Sequence, residues 1–214
     1  MIYAVLVIIL AYLLGSISFA VIFSKVFMKK DVRELGSGNA GATNILRTGG
    51  KKLGAITFLC DVLKGFVASI LGKFVFEQVF EKGDEWSVYG AFICGFACML
   101  GHVFPIFFQF KGGKGIATSV GIFAVCCYPA IIIGLVIFTL GVLITKIVSL
   151  SSIAAAITVV TCTMLFSFIN TPALFWPQAL LSVLMGILVI VKHGENIKRL
   201  IKGTENKLTT GKDK

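Results

Sequence analysis

Residues 2–24 read IYAVLVIILAYLLGSISFAVIFS, an apolar run without a charged side chain. A helix needs about 20 mainly apolar residues to cross the hydrocarbon core of a bilayer, so this stretch predicts a membrane-spanning helix. Lys25, Lys29 and Lys30 follow the run instead of preceding it, which is the reverse of a secretory signal peptide. We therefore expect a retained first span.

The rest of the chain has the same character. Of its 214 residues, 57% are hydrophobic, and the mean hydropathy is +0.96, which excludes an ordinary soluble domain. We predict an all-α polytopic membrane protein, one integral-membrane domain over residues 1–214 with seven transmembrane helices. A count of five, with residues 101–128 folded back into one leaflet, is the alternative. The seven predicted spans are 2–24, 53–76, 87–104, 116–128, 130–146, 153–169 and 178–191.

The distribution of charge predicts the orientation of these spans. Seventeen of the 20 Lys and Arg residues fall in 25–52, in 105–115, at Lys146 or in the tail 192–214, whereas the loop 77–86 is acidic. Basic residues stay on the cytoplasmic side of a membrane. We therefore expect the N-terminus outside and the C-terminus, with its basic tail, in the cytoplasm. Trp86 and Trp176 then fall at the outer interface.

Two glycine-rich, cationic stretches lie between the spans: the first glycine loop, GSGNAGATNILR at 36–47, and the second glycine loop, FKGGKG at 110–115. Backbone N–H groups that approach a ligand closely, together with fixed positive charge, bind phosphate. The first loop has GxGxxG spacing but follows a charged segment instead of a strand, and the second lacks two Walker A positions. We predict anion-binding loops and no nucleotide motif. A flexible connection and a simple topology signal are the alternatives.

The chain has two histidines, His102 and His193. His193 precedes Asn196 by three residues, so a helix would place both side chains on one face. An ordinary amphipathic tail is the alternative there, and an interfacial residue is the alternative for His102. No carboxylate is spaced to orient His193 on its own helix face, so we predict that His193 positions a substrate and does not accept a proton.

The predicted second span contains two charges, Asp61 and Lys64, at i and i+3. Charges inside a membrane are costly and are usually paired or functional. Their spacing favours a structural ion pair over a substrate contact. The six cysteines all lie in apolar runs without a CxxC pair, so no metal or redox site is predicted.

Three segments resemble the motifs of the bacterial acyl-phosphate:glycerol-3-phosphate acyltransferases, the PlsY family. They are GSGNAGATNILR at 36–47, GHVFPIFFQFKGGKGIAT at 101–118 and KHGENIKRLIKGTE at 192–205. The resemblance covers essentially the whole chain, with the motifs in the same order. It implies a multi-pass protein of the bacterial cytoplasmic (inner) membrane whose active site faces the cytoplasm. Neither histidine begins a His-x4-Asp pattern, which argues against the coenzyme-A-dependent mechanism of other glycerolipid acyltransferases.

The resemblance implies that a fatty acyl group passes from acyl-phosphate to the sn-1 hydroxyl of glycerol 3-phosphate. The products are lysophosphatidic acid and phosphate, in the first acylation step of phospholipid biosynthesis. It gives catalytic roles to Ser37, Arg47, His193 and Asn196, and structural support to Glu205. Substrate contacts are expected at Gly38, Asn39, Thr43, Asn44, Lys111, Gly112, Gly113, Lys114 and Gly115. The expected partners are both substrates and membrane lipids, with no cofactor, metal or nucleic acid, and the protein is expected to be a monomer.

Two other functions fit parts of the pattern. A small transporter for an organic phosphate also combines interrupted helices with cationic loops, but its charges should lie near the bilayer midplane. A non-catalytic protein that binds anionic lipids would account for the basic tail alone. Only an acyltransferase would form lysophosphatidic acid.

Overall fold

A computed structural model describes residues 1–80 and 83–208, without the side chains of residues 83 and 84. Residues 81, 82 and 84 of the predicted acidic loop and residues 209–214 of the basic tail therefore lie outside this description in whole or in part. The chain forms two compact units, unit 1 at residues 1–126 and unit 2 at residues 127–214, and each is described by itself. A single domain stays a prediction.

The regular structure of the described residues is helical throughout, as predicted. Unit 1 contains α1 (Ile2–Gly15), α2 (Phe19–Phe23), α3 (Ala42–Gly49), α4 (Lys51–Phe80), α5 (Gly83–Val103) and α6 (Ile116–Cys126). Unit 2 contains α7 (Tyr128–Thr145), α8 (Val148–Asn170), α9 (Phe175–Lys192) and α10 (Gly194–Ile201).

Six segments of the described chain are long and apolar enough to cross a membrane, one more than the alternative count of five. They are Ile2–Met28, Lys51–Phe80, Glu85–Phe108, Tyr128–Thr145, Val148–Asn170 and Pro172–Lys192. The remaining predicted span corresponds to α6, which has only 11 residues. Such a helix is about 16 Å long, against a hydrocarbon core of about 30 Å. Seven crossings and the orientation of the termini therefore stay predictions.

The first span is interrupted near its middle. Helix α1 ends at Gly15, and α2 begins at Phe19 and continues into a π-helical turn, Ser24–Met28. The last carbonyls of a helix lack partners within the helix. Lys64 of α4 supplies them, because its Nζ donates to Gly15 O at 3.0 Å and to Ile17 O at 2.9 Å.

The same ammonium group lies 2.9 Å from Asp61 Oδ1, and both side chains are almost completely buried. The structural ion pair predicted from the i, i+3 spacing is therefore confirmed. Its second purpose, the capping of an interrupted helix, follows only from the three-dimensional structure.

Glycines let the helices of unit 1 approach closely. A Cβ atom added at Gly15 would overlap the backbone of Cys98, and one added at Gly72 would overlap the backbone of Gly90. Small residues serve the same purpose in other membrane helix pairs, where they allow backbones to touch. The contact at Gly15 places the interruption of the first span beside the last turns of α5.

Helices α8 and α9 of unit 2 are linked by a buried polar contact, in which Ser167 Oγ donates to Gln178 Oε1. Gly186 of α9 packs against Val160 of α8, and Gly134 of α7 packs against Val159. This packing fixes the course of α9, which ends at Lys192 directly before the second histidine.

Candidate functional site

The segment that leads into the first glycine loop is fixed by side chains that bond to nearby backbone. Ser24 Oγ accepts a hydrogen bond from Val32 N at 3.0 Å. Asp31 caps the short 3₁₀ turn Val32–Glu34 by accepting from Arg33 N. The Arg33 guanidinium donates two hydrogen bonds, of 3.0 and 2.8 Å, to the same carboxylate. Its hydrogen bonds are the largest influence on Asp31 and lower the pKa of that carboxyl from 3.8 to about 2.

Asn44 holds the first glycine loop together. Its side-chain amide donates to the carbonyls of Val32, Leu35 and Asn39 at 3.0, 2.9 and 3.0 Å. Its Oδ1 accepts from Ser37 N at 3.0 Å. The chain can curl around one side chain because Gly36 and Gly38 adopt positive φ angles of 57° and 72°.

Asn44 was expected to contact substrate, and the geometry gives it another role. The side chain is 1% exposed, and both its donors and its acceptor are used by the loop backbone. An amide in this position has no N–H donor left for the oxygen atoms of a phosphate. We therefore assign Asn44 to the positioning of the loop.

The second glycine loop turns back onto the end of α5. Gly113 N donates to His102 O at 3.1 Å, and Lys111 N donates to Phe108 O at 3.2 Å. A Cβ atom at Gly112 would lie 2.8 Å from Val103 O, and still closer to His102 O. Only glycine allows the backbone to lie so close to the helix end.

The two glycine loops meet within unit 1. A Cβ atom at Gly113 would lie 2.8 Å from Ala40 O of the first loop. Arg33 strengthens this junction, because its Nη1 donates to Phe108 O at 3.0 Å while its other nitrogens hold Asp31. The structure therefore brings together two stretches that lie about 65 residues apart along the chain.

The predicted site residues of unit 1 differ in exposure. Ser37, Gly38, Arg47 and Lys111 are exposed. Asn39, Thr43, Gly112 and Lys114 are half-buried, whereas Asn44, Gly113 and Gly115 are buried. The exposed members supply a hydroxyl, a guanidinium and an ammonium, and the buried members are the ones that shape the backbone.

His193 of unit 2 is 3% exposed and lies at the junction of α9 and α10. Its Nδ1 is 2.8 Å from Val189 O. A carbonyl only accepts, so Nδ1 carries the proton and the other ring nitrogen, Nε2, is the basic one. The Val189 carbonyl thus orients the ring. It takes the place of the orienting carboxylate, whose absence from the sequence was the reason for predicting a positional role for His193.

Glu205 is the centre of a hydrogen-bonded cluster in unit 2. Its Oε1 accepts from Asn196 Nδ2 at 2.6 Å and from Ser149 Oγ at 2.8 Å, and its Oε2 accepts from Arg199 Nε at 2.7 Å. Burial is the largest influence and raises the pKa of Glu205, but these three hydrogen bonds together outweigh it. The pKa of the carboxyl therefore lies below its ordinary value, and Glu205 is an anion near neutral pH.

Several residues of these clusters were not predicted from the sequence to belong to a site. Asp31 and Arg33 are separated by one residue and look like ordinary loop charges. Ser149 lies in the first turn of α8 and carries no sequence signal of a site, and Arg199 belongs to the third motif but was given no role. The signal for Arg199 was its position on the face of a helix turn that also carries Asn196, three residues earlier.

These features define a class: an all-helical membrane protein with two glycine-rich, cationic connecting loops that contact each other. A family model described as "Glycerol-3-phosphate acyltransferase" matches residues 5–203. The chain belongs to the glycerol-3-phosphate acyltransferase family.

Relatives of this name align over nearly the whole chain. Glycerol-3-phosphate acyltransferase 2 of Bacillus anthracis is 41% identical over 95% of this chain and 98% of its own length. The glycerol-3-phosphate acyltransferase of a Thermoanaerobacter species is 42% identical over 96% of both chains.

Two crystal structures have the same fold. Both are of PlsY, an integral membrane glycerol 3-phosphate acyltransferase, and both are 35% identical over 97% of this chain and 96% of theirs. The glycerol 3-phosphate form has a TM-score of 0.82 and the lysophosphatidic acid form has a TM-score of 0.79.

Proposed function

We propose that this chain transfers a fatty acyl group from an acyl-phosphate to the sn-1 hydroxyl of glycerol 3-phosphate. The bond between the acyl carbon and the phosphate oxygen breaks, and an ester bond forms to the sn-1 oxygen. The hydroxyl proton leaves on the inorganic phosphate, so lysophosphatidic acid and phosphate account for all atoms. Family membership supports glycerol 3-phosphate as the acceptor, and the three motifs support the acyl-phosphate donor.

The observation that carries this proposal is the junction of the two glycine loops in unit 1. Both substrates contain phosphate, the backbones of the two loops approach closely at the junction, and the loops carry the cationic side chains of Arg47, Lys111 and Lys114. Backbone N–H groups and fixed cations of this kind recognise phosphate oxygens. The contacts through Arg33 and Gly113 hold the loops in place before a ligand arrives, which lowers the entropy lost on binding.

The chemistry asks for positioning more than for a covalent nucleophile, because an acyl-phosphate is already activated. We assign Ser37 to donating a hydrogen bond, from a hydroxyl whose backbone is held by Asn44, and Arg47 to stabilising the charge of the departing phosphate. Correctly oriented donors lower the barrier for such a transfer. Loss of one donor of this type lowers kcat by about 10²–10³-fold in other enzymes.

Residues of unit 2 serve the same reaction in this proposal. Val189 orients the His193 ring, whose Nε2 is assigned to holding the glycerol hydroxyl. Glu205 fixes the amide of Asn196, which we assign to orienting the acceptor, while Glu205 itself remains structural. With His193 positional, the hydroxyl proton passes to a substrate phosphate.

The proposed setting is the cytoplasmic membrane of a bacterium, with the glycine loops and the basic tail on the cytoplasmic side and the protein acting as a monomer. The charge distribution supports this orientation, since basic connecting segments are retained inside. Glycerol 3-phosphate would then arrive from the aqueous phase and the acyl-phosphate from the lipid phase.

The test uses the purified full chain in detergent with an acyl-phosphate and glycerol 3-phosphate. Release of phosphate and formation of 1-acyl lysophosphatidic acid are the expected result. Ser37→Ala should lose about 10²-fold or more in kcat. Thr139→Ala is the matched control, because this hydroxyl donates within its own helix α7, to Leu135 O. Product formed from acyl-coenzyme A and not from acyl-phosphate would refute the donor, and absence of product with both would refute the activity.

A further inference from the structure

A buried ionic cluster in unit 1 has no part in the mechanism proposed above. Asp61 Oδ1 lies 2.9 Å from Lys64 Nζ and 3.5 Å from His102 Nδ1. The side chains of all three residues are at most 6% exposed. Charged groups buried in a membrane protein are expensive and are kept for a purpose.

The Asp61–Lys64 pair has a structural explanation that does not extend to His102. Lys64 Nζ donates to Gly15 O and Ile17 O, and so caps the interrupted first span, while the same ammonium forms an ion pair with Asp61. Asp61 already has its counter-ion. The imidazole is an addition to this ion pair, and the neighbours on its other side indicate its purpose.

Those neighbours belong to the second glycine loop. The backbone carbonyl of His102 accepts from Gly113 N at 3.1 Å. A Cβ atom at Gly113 would lie 2.8 Å from His102 Cε1, and still closer to Nε2. The ring thus faces Asp61 with Nδ1 at 3.5 Å, while its Cε1–Nε2 edge supports the backbone of Gly113.

We propose that His102 is a positioning residue for the second glycine loop, and that Asp61 fixes the ring for this purpose. The ring edge and the carbonyl set how far Gly112 and Gly113 sink towards α5, and therefore where their backbone and the flanking lysines meet an oxyanion. This inference rests on the proposed function in one respect, that the loop binds the phosphate of a substrate.

The first test separates KM from kcat in His102→Asn. An asparagine keeps a donor where Nδ1 faces Asp61 but lacks the ring edge that reaches Gly113. Gly113→Ala identifies which substrate the loop binds, as the one whose KM it raises. We expect His102→Asn to raise the same KM by about tenfold, the equivalent of roughly one net hydrogen bond, with kcat changed by less than threefold.

A second measurement does not depend on turnover. Inorganic phosphate should raise the unfolding midpoint of the wild-type protein, and His102→Asn should need about tenfold more phosphate for the same increase, in line with mass action. Ser167→Ala is the control for a destabilised variant, since it removes a buried hydrogen bond of unit 2. It should lower the midpoint and leave the phosphate dependence and both KM values unchanged.

A double variant keeps the inference testable should His102→Asn purify poorly. The new methyl group of Gly113→Ala meets the ring edge, and His102→Asn removes that edge. Gly113→Ala with His102→Asn should therefore be less impaired than the product of the single effects, although the contact with Ala40 O remains. Independent effects would refute the proposal.

The outcomes also distinguish this inference from the proposed function. A protein that makes no lysophosphatidic acid, yet loses phosphate stabilisation in His102→Asn, would refute the function and retain the positioning role. A His102→Asn variant with a lower unfolding midpoint but an unchanged KM and phosphate dependence would show that His102 only stabilises the fold, and would refute the inference.

Discussion

At the scale of single residues, the hydrogen-bonded cluster around Glu205 depends on a carboxylate that only accepts hydrogen bonds. The carboxylate is the acceptor in all three of the hydrogen bonds described above. In Glu205→Gln an NH₂ group must face at least one of these donors, which leaves that donor without its acceptor at a cost of up to about 1–3 kcal/mol where it is buried. We expect a lower unfolding midpoint, and a kcat at least tenfold lower because Asn196 loses its anchor.

The control for this prediction lies in the same short helix. Glu195 is exposed and, among the described residues, forms its ion pair with Lys198, so Glu195→Gln should retain the wild-type midpoint and kcat. Thermal unfolding and initial rates on the same preparations decide the comparison, and equal behaviour of the two variants would contradict the structural role of Glu205.

Asp31 predicts a dependence of stability on pH. A carboxyl whose pKa is lower in the folded than in the unfolded protein stabilises the fold above its unfolded pKa, and this contribution is lost as pH falls through the folded pKa. For Asp31 the window runs from 3.8 down to about 2. The unfolding midpoint should fall less steeply across this window in Asp31→Asn than in wild type. Thr139→Ala, which removes no titratable group, should keep the wild-type slope.

His193 permits a comparison of its two ring nitrogens. His193→Gln places an amide near the position of Nε2, whereas His193→Asn places one near Nδ1, which faces Val189 O. If the ring positions a hydroxyl, the Gln variant should keep more than about 1% of kcat and the Asn variant should keep less, since one general base contributes about 10²–10⁴-fold. A pH–rate profile that loses an ionisation near 6.5 in His193→Gln would instead identify a proton acceptor.

At the scale of elements, the first glycine loop depends on one buried amide. Asn44→Ala would leave Ser37 N and three backbone carbonyls without their side-chain partner, so we expect a lower unfolding midpoint together with a kcat reduced at least tenfold. Asn170→Ala is the matched control. Its amide donates to one carbonyl, Phe166 O, at an exposed helix end, and its loss should change neither quantity.

The sequence predicted the helices of this protein much better than their interruptions. Every predicted span has a corresponding helix, because apolar runs of this length have few other structures available in a membrane. The break after Gly15 was not predicted, since the residues around it are as apolar as the rest of the span. Its stabilising partner, Lys64, lies 49 positions away.

The residue types of the candidate site could be predicted from the sequence, but the orientation of its side chains could not. Polar residue types identified the glycine loops as anion sites, but they do not show which polar side chain faces a ligand and which faces the loop itself. That is why Asn44 was first expected to contact substrate. The orientation of His193 by Val189 was also hidden, because a backbone carbonyl leaves no trace in the residue sequence.

At the scale of the whole molecule, the short α6 makes the number of crossings a question of parity. Seven crossings put the termini on opposite sides, and six put them on the same side. With the native cysteines replaced, an impermeant thiol reagent should label Tyr3→Cys in spheroplasts but label Lys207→Cys only after permeabilisation. Lys30→Cys, on the expected cytoplasmic side, should behave like Lys207→Cys. Equal labelling of both ends would contradict the predicted orientation.

The capping of the interrupted first span by Lys64 has a consequence for the insertion of the protein into the membrane during its synthesis. Alone, α4 would carry Asp61 and Lys64 into the bilayer, each at about 2.5–3.5 kcal/mol near a helix centre, and the first span would carry unpaired carbonyls. Lys64 of α4 supplies the donors that the carbonyls of the first span need, and these carbonyls are acceptors for the buried ammonium. The two spans are therefore best inserted together, as a hairpin leaving the translocation machinery, and they follow each other directly in the order of synthesis.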